Sequence, residues 1–151
     1  MPAAHPDHGI TTKRLRRPRL VIPTRRRHRN PAAKDHLQQG VIYLKHVASR
    51  QFVEYPLRNG LITIGRSDDT QGIQPDIDLT PLKAQIHGVS RLHAGLRYER
   101  NQLYLKDMGS VNGTFYNGRK LIPESYRLVA SGSHLQFGSL GLRIGFNSTT
   151  Q

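Results

Sequence analysis

The sequence contains no cysteine, which excludes disulfides, thiolate metal sites and thiol redox chemistry. It lacks any run approaching the ~18 uncharged apolar residues that a bilayer crossing needs. Its start, "MPAAHPDHGITTKRLRRPRL", lacks the apolar stretch of roughly 7–15 residues found in a secretory signal. The expectation is a cytoplasmic protein without membrane contact. Acidic residues are scarce, ten against 23 Lys and Arg, for a formal net charge of +13. Nucleotide binding has no support, because the glycines form neither a phosphate-loop pattern nor a dinucleotide fingerprint. Metal binding has little: His5-x2-His8 and His87-x5-His93 are not metal-ligand spacings. No cofactor is expected.

The positive charge is unevenly placed. Residues 1–39 carry ten Lys and Arg against Asp7 and Asp35, a net of +8. Pro2, Pro6, Pro18, Pro23 and Pro31 interrupt any helix there, and the basic clusters repel each other. The island Leu20-Val21-Ile22 is too short to bury a core, so residues 1–39 read as a disordered basic tail. It is either a solubilising tail or an electrostatic contact with nucleic acid or an acidic assembly. Residues 13–29 lack interleaved aromatics, so contact with nucleic acid there would be non-specific.

From Gly40 the texture changes, and 151 residues suit one domain plus this tail. "VIYLKHVA" and "QFVEYPLR" are rich in β-branched and aromatic residues without helical period. Asn59-Gly60 separates the second from "LITIGR" and is the preferred dipeptide of a two-residue hairpin turn. Strict alternation follows. Leu92, Ala94, Leu96 and Tyr98 share a face, as do Leu103 and Leu105. Leu135 and Phe137 do so too, and so do Leu140, Leu142, Ile144 and Phe146. Half-buried antiparallel strands alternate in this way. Short strands punctuated by Gly and Asn predict a β-sandwich or barrel over residues 40–147, with 148–151 as a short C-terminal tail. "TPLKAQIH", in the insert between Arg66 and Ser90, is the one helical possibility.

Ser90 and His93 invite a nucleophile–base reading. Three residues apart in a strand they would face opposite ways, so hydrolysis is not expected. A loop constellation remains: Gly65-Arg66, Ser90-Arg91 and Ser110-Val111-Asn112-Gly113-Thr114. An arginine fork, hydroxyl groups, an amide and exposed backbone N–H groups make an oxyanion-binding set.

In order and spacing, "IGR" (64–66), "SRLHA" (90–94) and "DMGSVNGTFYNG" (107–118) resemble the forkhead-associated (FHA) domain, over about seven-tenths of the chain. The resemblance implies an antiparallel β-sandwich that binds phosphothreonine peptides at its rim loops. The chain would then be a non-enzymatic signalling or scaffold module whose partner is a phosphothreonine-containing protein. By the resemblance, Arg66 and Ser90 contact the phosphate, helped by Arg91, and Asn112 bonds the peptide backbone after the phosphothreonine. Gly65, His93, Asp107, Ser110 and Gly113 support the site. Some members carry a hydroxyl residue where this chain has Val111. That position would offer only its backbone N–H, or an apolar wall for the threonine methyl. The insert is either a plain surface excursion or a border of the peptide groove, where its acids Asp68, Asp69, Asp76 and Asp78 would favour basic residues around the phosphothreonine. Some FHA proteins are switched by a phosphothreonine in their own N-terminal segment, which makes Thr11 and Thr12 candidates for self-interaction.

Overall fold

The computed structural model describes residues 19–21 and 40–148. In chain order the first strands are β1 (Arg19–Val21), β2 (Gly40–His46), β3 (Phe52–Pro56), β4 (Gly60–Gly65) and β5 (Ile77–Asp78). They are followed by β6 (Ala94–Glu99), β7 (Gln102–Asp107), β8 (Thr114–Tyr116) and β9 (Arg119–Lys120). The last are β10 (Arg127–Val129), β11 (His134–Phe137) and β12 (Leu140–Ser148). Two sheets form a sandwich. One has the strand order β1-β3-β2-β12-β11-β8-β9, the other β10-β7-β6-β4-β5. The neighbours are antiparallel except β4 and β5, which are parallel.

The alternating residues fill the space between the sheets. Ile42 and Leu44, Leu135 and Phe137, and Leu140, Leu142 and Ile144 come from one sheet. Ile62, Ile64, Leu96, Tyr98, Leu103 and Leu105 come from the other. All of them are buried, and each such side chain contributes about 1.5–3 kcal/mol relative to an exposed one. A charge at Leu96 would be buried without a partner and would break the sandwich.

Several expectations need correction. Asn59-Gly60 does not close a hairpin, since β3 and β4 lie in different sheets. The connection crosses between them over the buried Leu57, with Gly60 at φ +97°. Leu92 is not on the core face with Ala94. It precedes β6 and is 42% exposed. "TPLKAQIH" yields only a 3-10 turn at Thr80–Leu82. β12 runs one residue into the expected C-terminal tail.

Within the basic segment, where no strand was expected, Arg19–Val21 pairs antiparallel with β3, Arg19 opposite Glu54 and Val21 opposite Phe52. An edge strand needs backbone partners rather than a core of its own, so a three-residue island suffices. Residues 1–18 and 22–39, with Thr11, Thr12 and most of the basic clusters, lie outside the described residues. Among the described residues no helix is long and apolar enough to cross a membrane.

Candidate functional site

Strand register gathers the loop constellation at one rim. Ile64 of β4 pairs with Ala94 of β6, and Ala94 pairs with Asp107 of β7. The end of β4, the start of β6 and the end of β7 therefore lie side by side. In the facing sheet, Thr114 of β8 pairs with Phe137 of β11, which turns into β12 at Leu140. Gly65-Arg66, the connection 88–93, the connection 108–113 and the Gly138-Ser139 turn thus converge from both sheets.

Gly65 makes the closest approach. A Cβ there would stand 1.9 Å from the Arg91 carbonyl oxygen and 2.8 Å from that of Ser90. Only glycine lets the backbone of 90–91 lie against β4, where the Arg66 N–H donates to the Arg91 carbonyl at 3.2 Å.

His93 and Asp107 tie the loops together from beneath. The His93 ring is fully buried, packed against Phe137 at 5.2 Å between centroids. Its Nδ1 accepts the Ser90 backbone N–H at 2.9 Å. Nε2 therefore carries the proton and donates to the Gly113 carbonyl at 2.9 Å. Ser90 and His93 do meet, contrary to the strand argument, because 90–93 is a loop rather than a strand. They meet through the backbone, and neither ring nitrogen is left to activate the Ser90 hydroxyl. Burial holds the His93 imidazole below its ordinary pKa, against the opposing pull of the Gly113 hydrogen bond and the Asp107 charge.

Asp107 organises the second loop. Its Oδ2 accepts the N–H groups of Gly109 and Ser110 at 3.0 and 3.1 Å. Its Oδ1 accepts the hydroxyls of Ser110 and Thr114. The Ser110 hydroxyl oxygen in turn accepts the Gly113 N–H at 2.9 Å. Burial works against the Asp107 charge, but the Ser110 and Thr114 hydrogen bonds outweigh it and hold the carboxyl below the usual carboxylate range.

Above this base sit the half-buried Arg66, Ser90 and Arg91 and the exposed Val111 and Asn112. Arg66 donates from Nε to the Val89 carbonyl at 2.8 Å. This anchors the guanidinium and leaves both terminal nitrogens without a partner among the described residues. The Ser90 hydroxyl oxygen accepts the Val111 N–H at 3.1 Å, which leaves the hydroxyl proton to donate. It also occupies the backbone N–H expected to stand in for a missing hydroxyl at 111. Val111 itself is 86% exposed. The exposed Asn112 donates from Nδ2 to the Gly88 carbonyl at 2.9 Å, and its amide oxygen has no partner among the described residues. Arg91 is brought to the same rim, but its Nη1 is paired with Asp68 at 3.2 Å.

Three of the four insert acids are engaged, by residues of the insert and by its neighbours. Besides Arg91, Asp68 binds Thr70, and that bond, the largest influence, lowers its pKa. Asp76 holds Thr63 and pairs with Arg58. Asp78 holds Ser67 and Thr80.

Sequence reasoning missed three contributors. Gly88 at φ +75° carries the carbonyl that holds Asn112, and a Cβ there would reach within 2.5 Å of the amide nitrogen. Gly138 at φ +61° packs against the His87 carbonyl, 2.4 Å from where its Cβ would be. His87 Nδ1 meets the Ser139 hydroxyl at 2.9 Å. The only sequence signal was the presence of isolated glycines beside polar residues. Among the described residues no group of three or more His, Asp or Glu side chains is placed to hold a metal ion.

Comparison with known proteins bears on this rim. Residues 62–138 match the profile of the FHA domain. Protein FraH of Nostoc sp. strain PCC 7120 is 36% identical over 106 residues, which cover 70% of this chain and 36% of FraH. The probable E3 ubiquitin-protein ligase dma1 of Schizosaccharomyces pombe is 54% identical over 37 residues, 24% of this chain and 14% of that protein. The chain thus spans little more than a third of FraH and about a seventh of dma1. A structure solved for an analysis of phosphothreonine-dependent FHA domain interactions superposes with a TM-score of 0.52 at 26% identity. It covers 72% of this chain and 97% of its own. Mycobacterium tuberculosis EmbR in complex with a low affinity phosphopeptide gives 0.55 at 26% identity, covering 76% of this chain and 26% of EmbR.

Proposed function

The chain belongs to the FHA domain family, and on that footing we propose that it is a phosphothreonine-peptide reader, a signalling or scaffold module without catalytic chemistry. The observation that carries the reading is the state of Arg66. Its Nε is anchored to the Val89 carbonyl while both terminal nitrogens have no partner among the described residues, on the rim that also carries the Ser90 hydroxyl. A guanidinium fork held in this way is preorganised for two phosphate oxygens. The Ser90 hydroxyl supplies a third donor, and the Asn112 amide bonds the peptide backbone and sets its register. Val111 offers its exposed side chain to the threonine methyl, and Arg91, held by Asp68, shapes the insert edge of the groove. The relative solved with a phosphopeptide supports the same class of ligand.

The engagement of both His93 nitrogens supports binding rather than hydrolysis. A direct test is a backbone NMR titration of the full chain with a phosphothreonine peptide. Shifts should concentrate at Arg66, Ser90, Val111 and Asn112. Shifts elsewhere, or none, would reject the site.

Self-interaction through phosphorylated Thr11 or Thr12, which lie outside the described residues, would bring a phosphothreonine of this chain or of a second copy to the same site. Contact of residues 13–29 with nucleic acid would be a separate property. It would show as affinity that falls steeply with salt and survives Arg66→Ala.

A further inference from the structure

We propose that Lys120 makes this site select partners carrying an acidic residue on the C-terminal side of the phosphothreonine. The inference rests on the phosphothreonine reading above and adds a sequence preference to it.

The β8–β9 hairpin turns at Asn117 and Gly118, with φ of +48° and +87°. That register sets Lys120 opposite Phe115. The lysine stem lies over Gly113: a Cβ built there would stand 2.8 Å from Lys120 Cε and 3.6 Å from Nζ. Phe115 lies on the same spot, its Cε1 3.6 Å from that position. Gly113, at φ +89°, thus serves two purposes. It permits the turn, and it leaves the space through which the lysine reaches the rim. The ammonium is brought next to the residue that follows Asn112.

The charge it carries is uncompensated. Among the described residues the Lys120 side chain has no ion pair, hydrogen bond or aromatic partner, and neither has that of its neighbour Arg119. The acids that flank this hairpin in sequence are already engaged. Asp107 is enclosed and saturated by Ser110, Thr114 and Gly109, and Glu124 pairs with Lys106 at 3.3 Å. An exposed unpaired lysine is ordinary on a protein surface. This one is packed against the loop that would hold the peptide backbone after the phosphate, where chain-bound acids would meet it.

Three of the four insert acids are already held, Asp68, Asp76 and Asp78 by Arg91, Arg58, Thr63 and Thr80. Asp69 alone is exposed without a side-chain partner among the described residues. The expected preference is the reverse of the basic flank that the insert acids suggest.

The test uses the full chain and three phosphothreonine peptides that differ only in the three residues after the phosphothreonine: all Asp, all Ala or all Lys. The native protein should bind the Asp peptide about 3–5-fold more tightly than the Ala peptide, the upper range for a solvent-exposed pair. Lys120→Gln should abolish that ratio, and Lys120→Glu should invert the order of the Asp and Lys peptides. An unchanged ratio in both variants, with binding still lost in Arg66→Ala, would overturn the inference and leave the site reading standing. Equal weakening of all three peptides would make Lys120 a phosphate contact, and would also overturn it. Failure of the Ala peptide to bind, or binding indifferent to Arg66→Ala, would reject the site reading itself.

Discussion

His93 Nε2 donates to the Gly113 carbonyl across 2.9 Å, joining the loop that leads into β6 to the loop that leads into β8. One buried ring thus fixes the spacing between Ser90 and Asn112, which sit above it. Removing the ring leaves a cavity against Phe137, deprives the part-buried Ser90 N–H of its acceptor, and leaves the Gly113 carbonyl with only the Gly138 N–H. His93→Ala should cost about 2–4 kcal/mol of stability. Urea unfolding of the full chain measures this directly. A loss under about 0.5 kcal/mol, the range of an ordinary surface substitution, would contradict the buttress role.

The same ring makes stability depend on pH. Burial lowers the folded-state pKa of His93 beneath that of the unfolded chain, so the unfolded state takes up more protons below about pH 6.5. The contribution is complete above that value and is lost as pH falls through the folded value. His46 is lowered in the same direction, by burial first and by the nearby His87 second. Asp107 adds a further loss in stronger acid, as its carboxyl protonates below the ordinary carboxylate range. The urea midpoint should therefore fall between pH 7 and pH 5, and fall less in His93→Gln than in the native chain. Parallel pH profiles for the two proteins would refute the assignment to His93.

Gly65→Ala tests the closest backbone contact. The added methyl would overlap the Arg91 carbonyl, and backbone cannot yield as a side chain tip does. Overpacking of this kind costs roughly 1–3 kcal/mol, occasionally more. The thermal midpoint should drop, and phosphopeptide affinity should drop with it although Arg66 and Ser90 are untouched. An unchanged midpoint would show that the loop at 90–91 does not need this approach.

Asp107→Asn replaces one acceptor oxygen by a donor facing hydroxyls and N–H groups. The loop 108–113 should open more readily, by about 1–3 kcal/mol. Hydrogen exchange at Gly109, Ser110 and Gly113 reads it, with β6 and β12 as unaffected references.

Much of the fold was legible because it is written locally. Period-two alternation marked β6, β7, β11 and β12, and the buried faces are those the pattern assigns from Ala94 onward. What was not legible depends on distant partners. Asn59-Gly60 signals a turn, but no local feature says which sheet the next strand joins. The β6–β7 hairpin turns at Arg100-Asn101, both at positive φ, and arginine carries no signal for that conformation. β1 exists only because β3 offers an open edge. At the site, the residue types and their order were visible in "IGR", "SRLHA" and "GSVNGT". Their engagements were not: that Val111 N–H binds Ser90, that Arg91 is held by Asp68, and that Lys120 lies over Gly113 are products of the fold.

The central claim is that Arg66 is the anion anchor of a phosphothreonine site. Its most direct test is fluorescence anisotropy of the full chain with a degenerate phosphothreonine peptide set, run with phosphoserine and unmodified threonine sets and with Arg66→Ala. The account predicts saturable binding of the phosphothreonine set alone, weakened by about 1.5–3 kcal/mol in the variant, the worth of hydrogen bonds to a charged group. Equal affinity of native and Arg66→Ala proteins, or equal affinity for phosphorylated and unmodified threonine, would contradict it.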